Sequence, residues 1–191
     1  INSSGNVGIG TSIPSALLHL AANAPYITFE DKDNNQDWQL QATAWFALRN
    51  QTTASELLRV DASGNVGIGT TSPDGTLHVH TGSAGTVTPW ANADDLIVEN
   101  NGPTGISILA PDNQQAQIIF GNPSDNIGSI IRWKQDENEL QVSTHKTDGF
   151  LTLKTAIGQE RVRIDSNGNV GIGTTNPQAK LDVNDIIRAR P

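Results

Sequence analysis

The sequence predicts an all-β chain built from small hairpin and meander modules. Two observations carry that prediction. Short runs of alternating apolar and polar residues recur between clusters of Gly, Pro, Asn and Asp, and one glycine-rich hairpin motif occurs three times. Helix is expected only as short turns, with Ser15–Leu18 as the candidate.

The repeats come first in the chain and fix its organisation. Residues 1–20 (INSSGNVGIGTSIPSALLHL), 60–79 (VDASGNVGIGTTSPDGTLHV) and 164–183 (IDSNGNVGIGTTNPQAKLDV) align over twenty positions without a gap. Their starting points are separated by 59 and 104 residues, too unequal for a solenoid, whose copies stack at constant period. They therefore read as joints between unlike modules: a first repeat at 1–22, a small β module at 23–58, a second repeat at 59–80, a larger meander at 81–163, and a third repeat with the start of a following module at 164–191.

Within a repeat, Leu57–Asp61 and Arg161–Asp165 alternate like strands, and Ser-Gly-Asn or Asn-Gly-Asn supplies the turn. On the return strand Val66, Ile68 and Thr70 take one face and Gly67 and Gly69 the other, so something is expected to pack closely against the bare side. Pro14, Pro73 or Pro177 then ends the pairing, and Leu77-His78-Val79 or its counterpart begins another strand. In the 23–58 module, strands are expected around Tyr26–Phe29, Trp38–Leu40, Trp45–Arg49 and Leu57–Val60, with an acidic loop at 30–37. Residues 81–92 read as a loop. After it a meander is expected over Leu96–Glu99, Ile106–Leu109, Gln117–Phe120, Ser129–Lys134, Leu140–Thr144, Phe150–Leu153 and Arg161–Ile164.

Composition narrows the function. The 191 residues carry 12 Lys+Arg against 20 Asp+Glu, a net charge of −8, which argues against a nucleic acid partner and an anionic membrane surface. No apolar run approaches spanning length, so no membrane insertion is expected. Zero cysteines exclude disulfides, thiolate catalysis and Cys-based metal sites. Without a methionine and beginning at Ile1, the chain reads as a piece of a longer polypeptide. Aromatics at 5% leave any core to thin layers of Val, Ile, Leu and Ala.

Chemistry is sparse. Gly64 to Gly69 has P-loop glycine spacing, but Thr70 stands where a phosphate-binding Lys is required, and the dinucleotide pattern fails at Ser72. No cofactor is expected. His78 and His80 are weak metal candidates as an H-x-H pair, yet Leu77 and Val79 occupy the apolar phase, which turns both histidines outward onto a solvated face. Carboxylates cluster at Glu30, Asp31, Asp33 and Asp37, at Asp94, Asp95 and Glu99, and at Asp136, Glu137 and Glu139. All three runs read as solvated turns, and the 31–37 loop lacks the full EF-hand ligand pattern. No catalytic residue is assigned. Ligand-binding candidates are Trp90 with Asn92, Asp94 and Asp95 in the least strand-like stretch, and Trp38 with Trp45 as a second group. Trp45 and Trp133, in apolar strand phase, read as space-filling.

The segment Ile164–Val183, with its two earlier copies, strongly resembles a repeat of bacteriophage tail-fibre and tail-spike proteins, one that often lies just upstream of a C-terminal self-cleaving chaperone. The intervening stretches Tyr26–Asp31 through Leu57–Val60, and Gly105–Pro111 through Ile118–Gly121, look similar too. The resemblance implies an elongated parallel homotrimer on a virion tail, joined to other tail proteins and used to adhere to a host-surface receptor such as a glycan. No chaperone follows here, where Asn184–Pro191 looks like a truncated next module. The resemblance suggests an interface at Val7, Ile9, Val66, Ile68, Leu77, Val79, Val170, Ile172, Leu181 and Val183, because three thin apolar strips meeting on an axis bury what one leaves wet. A polysaccharide-degrading spike and a bacterial surface adhesin of similar architecture are the alternatives.

Overall fold

A computed structural model describes residues 1–34 and 36–187, which hold sixteen strands and no helix. The chain divides into two units, Ile1–Ile106 and Ser107–Pro191. In the first, β1 (Val7–Ile9) and β2 (Leu18–Leu20) form a parallel pair. A seven-stranded sheet follows in strict chain order: β3 (Tyr26–Phe29), β4 (Trp38–Ala42), β5 (Phe46–Asn50), β6 (Ser55–Val60), β7 (Val66–Ile68), β8 (Leu77–His80) and β9 (Leu96–Glu99). Its pairs are antiparallel as far as β6–β7, whereas β7–β8 and β8–β9 are parallel. The second unit holds an antiparallel meander of β10 (Gln115–Asn122), β11 (Asp125–Lys134) and β12 (Glu139–Thr144). It also holds a four-stranded sheet of β13 (Leu151–Thr155), β14 (Gln159–Ile164), β15 (Val170–Ile172) and β16 (Leu181–Val183), whose last pair is again parallel.

Most expected strands are present with small changes of extent. Trp45–Arg49 moves to Phe46–Asn50, and Ile106–Leu109 forms no strand. Alternation specifies which face is apolar, but a strand exists only when a neighbour supplies hydrogen bonds. None does so for 106–109 among the described residues. Ser15–Leu18 is likewise no helical turn: residues 15–17 bend and Leu18 opens β2. The second repeat lies inside the seven-stranded sheet, since β6 pairs with β5 on one edge and with β7 on the other. The division of the chain at Ile106/Ser107 falls within the 81–163 stretch that reads as one module.

The three repeats fold alike because each residue type in them closes a specific bond. Asn2, Asp61 and Asp165 each accept, through Oδ1, the backbone N–H groups two and four residues ahead, at 2.8–3.0 Å. Gly5, Gly64 and Gly168 occupy positive φ at the turn. Thr11, Thr70 and Thr174 accept from the N–H two residues on at 3.1–3.2 Å, which folds the chain back after the strand. The return fixes a parallel neighbour after a connection of only Gly69–Thr76, far shorter than the usual parallel crossover.

The two faces of these sheets are treated oppositely. Cross-strand register aligns Ile27, Leu40, Leu48, Leu58, Ile68, Val79 and Val98 in one row across all seven strands, beside a second row of Phe46, Val60, Val66, Leu77 and Leu96. In the four-stranded sheet the rows are Leu151, Ile164, Val170, Leu181 and Leu153, Val162, Ile172, Val183. No member of these rows is buried, and Ile68 and Ile172 are 41% and 42% exposed. The opposite face is closed by the chain itself. A Cβ on Gly67 would stand 2.6 Å from the Thr70 carbonyl oxygen, and one on Gly171 2.7 Å from that of Thr174. What packs against the bare side is therefore the returning loop of the same repeat.

Among the described residues, the buried apolar side chains are Ala47 and Ile130 together with the repeat prolines Pro14 and Pro177. The accessible surface is 14047 Å². One compact globule of this mass exposes about 8,800 Å², and two separate globules of these units' sizes about 10,600 Å² together. Exposed aliphatic side chains such as Ile9, Leu18, Ile68, Leu153 and Ile172 are part of that surface. Gly67→Ala is expected to lower stability by about 1–3 kcal/mol through overpacking, whereas Gly105→Ala, with open space around its Cβ, stays within about 0.5 kcal/mol. Denaturant midpoints of the two variants against the parent check this.

Candidate functional site

Three surfaces come out of this architecture: the open aliphatic face, a groove under the 81–95 loop, and a polar cluster on the glycine side of β8.

The aliphatic face holds every interface candidate from the sequence. Val66, Ile68, Leu77 and Val79 share it in the second repeat, and Val170, Ile172, Leu181 and Val183 in the third. In the first, Val7 and Ile9 pair with Leu18 and Leu20, and Ile9 is 58% exposed. The three-stranded meander has such a face as well, with Ile118, Ile131 and Val142 in one row and Ala116, Trp133 and Leu140 in another. Trp133 is thus in apolar phase, as expected. Trp45 is not. It precedes β5 on the opposite face, where the Arg59 guanidinium stacks 4.3 Å from its ring and pairs with Glu56 at 2.7 Å.

The third repeat reproduces that arrangement. Arg163 stacks 4.0 Å from the Phe150 ring and is held by Glu160 at 2.6 Å. In both places the glutamate lies three residues before the arginine, so Glu56-x-x-Arg59 and Glu160-x-x-Arg163 extend the repeat upstream. Alternation alone did not single out these glutamates. Long polar side chains lying along one face, with guanidinium over aromatic ring, close it as hydrocarbon packing does elsewhere. Trp38, in β4, shares the aliphatic face, so the two tryptophans of the second binding group stand on opposite sides of the sheet.

The groove lies beside edge strand β9 and has a volume of about 350 Å³. Trp90, Val87 and Pro89 of the loop face Leu96, Glu99 and Asn100 across it. Trp90 is 73% exposed. Asn92, Asp94 and Asp95, expected beside Trp90, do not line the groove. The carbonyls of Asp94 and Asp95 instead accept the N–H groups of Thr76 and Leu77 and so carry β8 toward β9. Two residues that the sequence left unassigned there, Glu99 and Asn100, take their place. The loop is tied down by the Ala84 N–H, which donates to Glu99 Oε1 at 2.6 Å.

The polar cluster corrects a sequence expectation. His78 is not on a solvated face: its side chain is 1% exposed, the most enclosed large side chain among the described residues. Register places it over Gly67, beneath the returning loop, so the glycine side is the covered one and the leucine and valine side the open one. Its Nδ1 accepts the Asp74 backbone N–H at 3.3 Å. His19 Nδ1 accepts from Ser15 in the same way, and Asp182 Oδ2 from Gln178. Histidine and aspartate alternate at this position because both offer an acceptor to the residue four earlier. His80, a quarter exposed, lies on the same side, and Glu99 reaches both rings: its Oε2 is 3.1 Å from His78 Nε2 and 3.9 Å from His80 Nε2. The Ala84 N–H, and secondarily the two histidines, hold the Glu99 carboxyl below its ordinary value.

Members of two of the acidic runs are engaged in turns and ion pairs. Asp31 accepts the N–H groups of Asp33 and Asn34 and the Asn34 side-chain amide, and the first of these chiefly lowers its pKa. Lys134 reaches both Glu137 and Glu139, lowering the carboxyl of Glu139. No protein-family model matches the chain, and a search of curated proteins finds no relative.

Asp165 gives the repeat a pH dependence. The Asn169 N–H above all, then the Asn167 N–H and the Asn169 amide, hold its carboxyl below the ordinary value. A depressed folded value means that the contribution is complete above the unfolded value of about 3.9 and is lost as pH falls through the folded one. Asp165→Asn, which installs the residue that the first repeat carries as Asn2, is expected to fold at neutral pH and to show a flatter loss of stability below about pH 4. Urea midpoints at neutral and at strongly acidic pH check this, and a parent-like acid limb contradicts it.

Proposed function

We propose that this chain is a structural and host-recognition segment of a trimeric viral tail fibre. The observation that carries the reading is the continuous aliphatic face, open across each repeat and its neighbouring strands while the opposite face is sealed by its own chain. A surface well above that of two compact globules needs partners that cover it, and identical copies present identical rows, so a closed symmetric assembly is the simplest cover. The resemblance of the repeat supports three parallel copies, an elongated form and a place among other tail proteins on a virion.

Recognition falls to the Trp90 groove. An exposed indole face beside the carboxylate of Glu99 and the amide of Asn100 suits a sugar ring, which offers an apolar face and a rim of hydroxyls. The groove lies at the β9 edge, where Leu96 and Val98 of the aliphatic rows line it, and the rows across β3 to β8 are left to hold the assembly together.

Solution mass is the direct test. The proposal expects a 60.9 kDa particle from three chains of 20.3 kDa, and Ile68→Asp, which puts a charge into the seven-residue row, abolishes assembly. A parent of 20.3 kDa, or an unchanged mass for Ile68→Asp, contradicts it. For recognition, Trp90→Ala is expected to weaken retention of host-surface polysaccharide about tenfold, roughly 1.4 kcal/mol, with mass unchanged. Release of reducing ends from that polysaccharide by the parent would favour a degrading spike instead.

A further inference from the structure

Two asparagines of the chain stand directly before a glycine, Asn101 and Asn167. In such a pair the backbone nitrogen of the glycine can attack the side-chain amide carbon of the asparagine. Both atoms belong to the same small ring in the making, and the attacking residue has no Cβ to obstruct closure. The rate then depends on whether that nitrogen is free to approach. The fold treats the two pairs differently.

Asn167-Gly168 lies in the turn of the third repeat. The Gly168 N–H donates to the Asp165 carbonyl at 3.0 Å, and Gly168 is held at a φ of 73°. Asp165 Oδ1 accepts the N–H groups of Asn167 and Asn169 at 2.9 Å and 2.8 Å. Attack there requires the Gly168 bond to break and the turn to open. Asn101-Gly102 stands at a bend just beyond β9, with both residues exposed. Among the described residues, the Gly102 N–H donates no hydrogen bond. The bonds nearby engage other groups: Asn100 Oδ1 accepts the Asn101 N–H at 2.8 Å, and the Gly102 carbonyl accepts the Thr104 hydroxyl at 3.1 Å.

We propose that Asn101 is a site of spontaneous deamidation in the folded chain, while the repeat turn protects Asn167. The Gly102 nitrogen bonds to Asn101 Cγ, and the side-chain amide leaves as ammonia, taking up the proton that Gly102 gives up. Water then opens the cyclic imide at either carbonyl, leaving aspartate or isoaspartate. Each product adds one negative charge to the net −8 of the chain, and isoaspartate also lengthens the backbone by one carbon. The Asn101 side chain rests against Gly82, where a Cβ would stand 2.7 Å from Asn101 Cγ. Glu99 and Asn100, the two residues before it, line the Trp90 groove. Deamidation therefore sets a carboxylate and a longer main chain at the foot of that groove. The reaction involves one chain alone and does not rest on the fibre reading.

Incubation of the purified 191-residue chain in mildly alkaline buffer, then cleavage after glutamate and mass spectrometry, tests this. The cut releases residues 100–137 and 161–191, with one Asn-Gly pair in each. The first peptide is expected to gain one mass unit at Asn101, with isoaspartate present. It does so at least about tenfold faster than the second gains it at Asn167, whose glycine must first give up its hydrogen bond and its turn. Unfolding in urea removes that difference. Gly102→Ala, whose Cβ would meet nothing nearer than Asn100 Nδ2 at 3.8 Å, keeps the parent's circular dichroism and slows the reaction at Asn101 about tenfold. Equal rates at the two sites in the folded chain overturn the proposal, as does a parent-like rate in Gly102→Ala or a gap that persists in urea. Should Gly102→Ala lose its native circular dichroism, the comparison of the two sites decides alone.

Discussion

The closure of the glycine face by the chain's own returning loop is the constraint on which the rest of this structure depends. Where ordinary domains bury leucine and valine and leave polar residues to water, these repeats cover Gly67 and Gly171 with the carbonyls of Thr70 and Thr174 and leave the branched residues outside. The inversion follows from geometry. A loop of eight residues can return to lie parallel beside its own strand only by hugging the backbone, and a backbone can be hugged only where side chains are absent. Hydrocarbon then has nowhere to go but the other side. The same logic extends sideways, where Arg59 and Arg163, each clamped by a glutamate three residues back, lie flat over aromatic rings and finish closing the polar face.

Much of this was legible in the sequence, and the misses have physical causes. The repeats gave the hairpins, the turn glycines and the apolar phase of Val66, Ile68, Leu77 and Val79, because a period of two and positive-φ turns are local properties. The parallel pairing of β7 with β8 was not legible, since it depends on a compact loop rather than on any pattern in the strands. That pairing put His78 over Gly67 and so buried a residue that phase alone had sent to solvent. The segment Ile106–Leu109 shows the converse: alternation is present and a pairing partner is not.

At the candidate sites the sequence found the aromatic but not its neighbours. Trp90 lines a groove as an exposed indole, yet Asn92, Asp94 and Asp95, adjacent in sequence, give way to Glu99 and Asn100, which are adjacent in space because β9 runs alongside β8. Glu99 joins the groove to the histidine pair. One carboxylate thus touches both features through its two oxygens, a relation that no spacing in the sequence displays.

The shortness of the repeat's connections bears on how the protein reaches its final form. Its turns, its threonine bonds and its histidine or aspartate bond all close within twenty residues, so little loop entropy is lost in forming them. Low contact order favours early formation. Each nascent chain can therefore set its aliphatic rows in register on its own. Folding is then local and fast, and in the proposed trimer the encounter between chains would be the slow, dilution-sensitive step that follows.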